Sequence, residues 1–249
     1  MSDPTTRRVA FVTGASRGIG RAIAERLARD GRHVVLASRS AGPLNDLKAS
    51  IGADGGSASV CAVDVSDGAA LASAIESVSK EFGRLDILVN NAGITRDNLI
   101  LRMSDGEFDE VINTNLRSAF IACRAAARPM MKGRFGRIVS IASTSGLVGN
   151  AGQANYAASK AALVGLMRTI ARELGTKGVT ANVVAPGFIE TDMTKDLPQQ
   201  VVEHIKGLLA VKELGKPEDI ASAVSYVTSD GAGYLTGQVI TVDGGMTMC

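Results

Sequence analysis

The feature that most constrains this chain is an alternation between two kinds of apolar run. Short runs rich in β-branched residues recur at residues 9–13, 33–37, 59–63, 87–90, 137–141, 179–184 and 239–242. They are continuous rather than alternating, as strands covered on both faces must be. Between them lie longer segments of helix-forming composition at 19–30, 43–51, 68–82, 105–131, 156–174 and 217–229, with 105–131 long enough for two helices. Strand alternating with helix gives a parallel sheet with right-handed crossovers. The expectation is α/β: one domain over residues 1–249, a Rossmann-like doubly wound sheet of about seven parallel strands with helices on both faces. No linker, repeat or low-complexity block divides it, and "AGPLNDL" and "GADGGSA" read as turns between elements.

An apolar fraction of 45% is ample for such a core. A formal net charge of +2, with no long run of one sign, leaves no footprint for nucleic acid or an anionic membrane. No apolar stretch approaches the roughly 18 residues of a membrane span. The start, "MSDPTTRRVAFVTGAS", lacks the charged-then-apolar plan of a signal peptide. A cytoplasmic location is expected. Cys61, Cys123 and Cys249 are far apart, no CxxC occurs, and only His33 and His204 could assist a metal. Buried or terminal thiols, and no metal site, are the expectation.

Two segments are too apolar for helices with one buried face. Within 116–131 the only charges, Arg117, Arg124 and Arg128, fall on one narrow stripe, and 156–174 is largely Ala, Leu, Ile, Val and Met, with Arg168 and Arg172 toward its end. The surplus predicts a subunit interface; burial under the chain's own loops is the alternative.

The first strand runs into "TGASRGIG". Gly14, Gly18 and Gly20 allow a tight turn and close approach to a diphosphate, which then meets the positive end of the next helix. The spacing is G-x-x-x-G-x-G rather than the commoner G-x-G-x-x-G. The second strand ends in Ser38 and Arg39, where an acidic residue would bond a ribose 2′-hydroxyl, and Arg17 lies in the glycine turn. Two guanidinium groups suit a 2′-phosphate, so NADP(H) is the expected cofactor. Solvated surface arginines are the alternative. Asp64 and Val65, ending the third strand, can touch the adenine edge. "NNAG", Asn90 to Gly93, fits a ligand crevice after the fourth strand and equally a plain Asx turn.

Tyr156 and Lys160, in "NYAASKAAL", stand four residues apart on one helix face. An ammonium near a phenol favours the phenolate and lowers its pKa from about 10. A phenol so tuned can shuttle a proton near neutral pH.

"TGASRGIG", "NNAG" and "YAASK", in this order, resemble the short-chain dehydrogenase/reductase family over essentially the whole chain. "NNAGITRDNLILRM", "GNAGQANYAASKAALVG" and "NVVAPGFIETDM" are most similar to the 3-oxoacyl-[acyl-carrier-protein] reductases of bacterial fatty-acid synthesis. The resemblance implies Tyr156 as the acid that protonates a carbonyl oxygen. Lys160 would tune it and hold the nicotinamide ribose, and Ser143 would hydrogen-bond the carbonyl. Ser140 and Ser145 are chemically equivalent neighbours, and Ser143 follows from the family's spacing. Asn115 would hold a proton-relaying water; bonding backbone at a helix distortion is its alternative. Ser16 and Ile19 in the glycine turn, Asn91, Ala92 and Gly93 after the fourth strand, and Pro186, Gly187, Ile189 and Thr191 after the sixth complete the expected cofactor contacts, with Thr191 on the carboxamide. Residues 188 to about 208 resemble a lid.

A reductase of this kind would act on a 3-oxoacyl group borne by acyl carrier protein. Arg134 and Lys177 match basic residues that receive the acidic carrier beside the entrance; ordinary solvated charges are the alternative. Family likeness implies a homotetramer, with the tail after Tyr234 in the interface because the last strand sits at the sheet edge. A reductase of acetoacetyl-CoA or another alcohol would share the catalytic set. A non-catalytic NADP-binding module would not need both Tyr156 and Lys160.

Overall fold

A computed structural model describes residues 7–191 and 198–248. In chain order the first half comprises β1 (Val9–Thr13), α1 (Gly18–Arg29), β2 (His33–Ser38), α2 (Ala41–Ala53), β3 (Ser57–Ala62), α3 (Gly68–Glu81), β4 (Ile87–Asn90) and α4 (Asp105–Ile112). A π-helical turn at Asn113–Arg117 joins α4 to α5 (Ser118–Gly133). There follow β5 (Gly136–Ile141), α6 (Ser145–Val148), α7 (Ala154–Leu174), β6 (Val179–Pro186), α8 (Gln199–Leu208), α9 (Pro217–Val227) and β7 (Val239–Val242).

The strands form one seven-stranded parallel sheet in the order β3-β2-β1-β4-β5-β6-β7. The order reverses between β1 and β4, and a ligand crevice opens at the carboxyl ends of strands flanking such a switch. Continuous apolar strands fill two cores. On one face Phe11, Leu88, Ile138 and Val183 meet Leu71 and Ile75 of α3, Ile121 and Met130 of α5 and Met167 of α7. On the other, Val12, Leu36, Val89 and Val184 meet Ile23 and Leu27 of α1, Leu44 and Leu47 of α2 and Ile220 and Val224 of α9. Neighbours in sequence thus serve opposite cores, so neither face could tolerate polar alternation.

The long apolar segment is two helices, as expected. A capping box starts α4: Ser104 Oγ accepts from the Glu107 N–H, and the Glu107 carboxylate accepts from the Ser104 N–H at 2.8 Å. Helix α2 begins two residues before Pro43, which its first turn accommodates because no intrahelical N–H bond is needed there. α5 leaves Phe120 46% exposed, and α7 turns Ala158, Ala161 and Gly165 outward. No helix among the described residues is long and apolar enough to cross a membrane, and no cluster of metal-ligating side chains occurs among them. Burial pushes the Cys123 thiol up to about 12 and raises that of half-buried Cys61; Cys249 lies outside the described residues.

Candidate active site

A cleft of about 850 Å³ runs along the carboxyl edge of the sheet, within the usual size of a small-molecule site. Every expected cofactor contact lines it, from Gly14 through Arg39, Asp64 and Gly93 to Thr191. Ser143, Tyr156 and Lys160 line it as well, while Asn115 stands just behind Gly93.

At the glycine end, the backbone is held by a network the sequence only partly announces. Gly14 and Gly18 have φ of +66° and +52°, in the left-handed region. A Cβ on Gly20 would overlap the Gly14 carbonyl oxygen. Asn91 Nδ2 donates to the carbonyls of Thr13 at 3.0 Å and Gly14 at 3.2 Å. Thr13 Oγ1 accepts from the N–H groups of both Asn91 and Ala92 at 3.0 Å. "NNAG" is therefore more than an Asx turn: Asn91 buttresses the glycine loop, and buried Asn90 bonds Ser140 and Cys123. Thr13 was not among the expected residues; its only sequence signal is a hydroxyl directly before the first glycine.

The start of α1 fits a diphosphate. Its N-cap, Arg17, makes no side-chain cap bond, whereas Asp67 caps α3 and Ser104 caps α4. Among the described residues no side chain caps the first-turn amides of α1, whose residues line the cleft, as an anion site requires. Across the cleft, the Thr191 Cγ2 lies 3.6 Å from where a Gly18 Cβ would stand. Asp64 accepts from the Ser66 N–H and hydroxyl at 2.9 and 2.8 Å, which holds its carboxyl below the usual range, with Arg39 adding to the effect.

At the chemical end, α7 supplies Tyr156 and Lys160. Lys160 is 4% exposed, and its Nζ donates to the Ile141 carbonyl at 2.7 Å. Burial pulls its pKa down to about 8. Nζ lies 5.5 Å from the Tyr156 ring centroid. The expected lowering of the phenol by this lysine does not appear in the protein alone. Burial pushes the Tyr156 pKa up, a hydrogen bond with Ser143 offsets part of that, and Asp97 adds to the rise. The largest cause is desolvation of the phenol itself, while the Lys160 amine donates to a backbone carbonyl.

Of the three neighbouring serines, Ser143 is the one whose hydroxyl acts on the phenol, lowering its pKa. Ser140 is fully buried against Asn90 and Met167, and the Ser145 N–H donates to Ser143 Oγ at 3.2 Å. Asn115 sits in the π-helical turn. Its Oδ1 accepts from the Ile94 N–H at 2.8 Å, and its Nδ2 donates to the Ile94 carbonyl at 3.0 Å and Ser159 Oγ at 3.1 Å. Both amide hydrogens are engaged by protein, so the side chain clamps backbone at a helix distortion, the alternative weighed above.

Arg134 and Lys177 come together but not beside this chain's cleft. Arg134 caps the end of α5, and Lys177 ends the 3-10 turn after α7. A crossover helix runs antiparallel to its strands, so its end lies where the next strand begins. The six residues of β5 place the pair about 20 Å from the cleft edge. Of the expected lid, α8 buries only Ile205, and residues 192–197 lie outside the described residues.

A sequence profile of the family described as enoyl-(acyl carrier protein) reductase matches residues 14–247. The chain is 49% identical over 241 residues to the 3-oxoacyl-[acyl-carrier-protein] reductase FabG of Salmonella typhimurium, covering 97% of this chain and 98% of that one. Identity to FabG of Escherichia coli strain K12 is 48% over the same coverage. A crystal structure of an Agrobacterium tumefaciens protein provisionally assigned as a gluconate dehydrogenase matches with a TM-score of 0.94 at 33% identity, covering 97% of this chain and 96% of that one. With so much of its length shared, this chain belongs to the short-chain dehydrogenase/reductase family of oxidoreductases.

Proposed function

We propose that the protein is an NADPH-dependent 3-oxoacyl-[acyl-carrier-protein] reductase of fatty-acid biosynthesis, acting in the cytoplasm as a homo-oligomer, most simply a tetramer. The observation that carries the reading is the convergence of Ser143, Tyr156 and Lys160 at one end of a cleft whose other end is a glycine turn. Near-half identity to named reductases of that activity supports the substrate class. Arg39 and Arg17 in the cleft, with no acidic residue at the end of β2, favour a 2′-phosphate over a free hydroxyl. Exposed Phe120 and the small-residue face of α7 support self-association.

When bound, NADPH supplies the hydride that reduces the 3-keto carbon. The glycine turn and the start of α1 would hold its diphosphate, Ser38 and Arg39 its 2′-phosphate, and Lys160 its nicotinamide-side ribose. Tyr156 donates its phenolic proton to the keto oxygen as charge develops there, and Ser143 donates a hydrogen bond to the same oxygen. The raised phenol serves this direction, because at neutral pH Tyr156 starts with its proton in place. Asn115 keeps Ile94 and Ser159 in register with both. The product is a 3-hydroxyacyl thioester.

The deciding experiment follows nicotinamide oxidation with acetoacetyl carrier protein and with acetoacetyl-CoA, each with NADPH and NADH. We expect the highest kcat/KM for carrier-bound substrate with NADPH. A preference for free CoA thioester would assign a different acyl reductase, and a preference for NADH would overturn the role of Arg39.

A further inference from the structure

Asn155 directly precedes Tyr156, is fully buried, and does not line the cleft. All its hydrogen-bonding groups are nonetheless aimed at the cleft's supports. Nδ2 donates to the Arg96 carbonyl at 2.9 Å and the Glu107 carbonyl at 3.2 Å. Oδ1 accepts from the Tyr156 N–H at 2.7 Å. That N–H is one of the first-turn donors of α7 with no intrahelical partner, and the N-cap, Gln153, makes no side-chain cap bond. One side chain therefore ties together the loop after β4, α4 and the first turn of α7.

The loop it holds is the cleft wall itself. Gly93, Ile94, Thr95 and Arg96 line the cleft together with Tyr156. Asn115 clamps Ile94, Asn155 fixes Arg96, Gln153 Nε2 donates to Asp97 at 3.0 Å, and the Asn98 N–H donates to the Gly152 carbonyl at 2.8 Å. Four attachments, at Ile94, Arg96, Asp97 and Asn98, dock this strip on α7, the turn before it and the π-helical turn. Asn155 is the only one of those side chains that also bonds the backbone of Tyr156.

We infer that Asn155 is a positioning residue for Tyr156, setting the depth at which α7 presents the phenol to the wall formed by residues 93–96. It touches no reacting atom; it acts through Tyr156 and the Arg96 carbonyl, and the inference rests on the carbonyl reduction proposed above. Without its N–H groups, the Arg96 and Glu107 carbonyls each lose a donor and the first turn of α7 loses its tie to the wall. A displacement of about 1 Å at a catalytic group is enough to slow a reaction about 100-fold.

The test is a double-mutant cycle on the full-length protein. Asn155→Ala is made in the native background and in Tyr156→Phe, and single-turnover rates, KM and the NADPH dissociation constant are measured. We expect the native rate to fall about 100-fold while KM and NADPH binding change less than about threefold. In the Tyr156→Phe background, Asn155→Ala should cost no further rate, because the group it positions is already gone. A second variant, Asn155→Asp, keeps the volume and the acceptor for the Tyr156 N–H but removes both donors, and carries the same cycle if the alanine variant does not fold. An equal loss in both backgrounds, a parallel loss of NADPH binding, or an unchanged rate would each overturn the positioning role. A wild-type protein that reduces no 3-oxoacyl thioester overturns the activity instead, and is recognised before any variant is made.

Discussion

Lys160 is the residue at which folding and function conflict most openly. Its pKa falls from an ordinary 10.5 to about 8 because burial penalises the ammonium. Below pH 8 both folded and unfolded states carry the proton, and the folded state bears the full penalty of roughly 3 kcal/mol. Between pH 8 and 10.5 the unfolded chain binds more protons than the folded one, so stability from this group rises with pH. Replacing it by an apolar side chain of similar length should therefore stabilise the cofactor-free protein near neutrality. We expect Lys160→Met to gain up to about 3 kcal/mol at pH 7 in urea denaturation, with the gain shrinking toward pH 10.5, and to lose reductase activity. A gain independent of pH would mean that the amine is not desolvated. The spacing of Tyr156 and Lys160 was legible from sequence because helical periodicity alone puts them on one face. Thr13 and Asn155 were not, because their partners are backbone groups 48 to 79 residues away that only the folded sheet brings near.

At the scale of elements, what the sequence announced were the parts whose environment is uniform. All seven strands were legible because each is apolar toward two helical layers and bounded by turn residues. α6 is too short for periodicity to show, whereas α8 has Val201, Val202, Ile205 and Leu208 at helical spacing but falls within the segment expected as a lid. The π-helical turn at Asn113–Arg117 was legible only as the helix distortion weighed for Asn115, because its form depends on Asn115 meeting Ile94. The glycine turn lies between these cases: its glycines were visible, but not which of them is irreplaceable. The contacts single out Gly20, since a methyl there meets the Gly14 carbonyl and Asn91 Nδ2, neither of which can move without dismantling the turn. We expect Gly20→Ala to weaken NADPH binding at least about tenfold in a fluorescence titration, about 1.4 kcal/mol. Gly42→Ala, in the first turn of α2, places its methyl in open space and should bind NADPH as the wild type does. Equal effects of the two would show that the close approach at Gly20 has no functional weight.

The whole molecule sets a problem that no element poses alone. The sheet order gathers the cleft at the carboxyl ends of the strands, while Arg134 and Lys177 stand where β5 and β6 begin. A carrier protein docked on that pair faces away from the Tyr156 of the same chain. If these residues receive the carrier, they serve the cleft of a second copy, and docking and chemistry belong to different protomers. Arg134→Glu should then raise KM for acetoacetyl carrier protein about tenfold while leaving acetoacetyl-CoA turnover unchanged, because the charge acts on the carrier and not on the keto group. Complementation separates the two arrangements. In mixed oligomers, Tyr156→Phe subunits keep the docking pair and Arg134→Glu subunits keep the catalytic set. Service between copies predicts that the mixture recovers low KM for carrier-bound substrate, each intact cleft being fed by its neighbour's basic patch. A mixture whose KM stays as high as that of Arg134→Glu alone would place docking and chemistry in the same protomer, and an Arg134→Glu protein whose KM for carrier-bound substrate is unchanged even at low salt would leave Arg134 as a solvated helix cap.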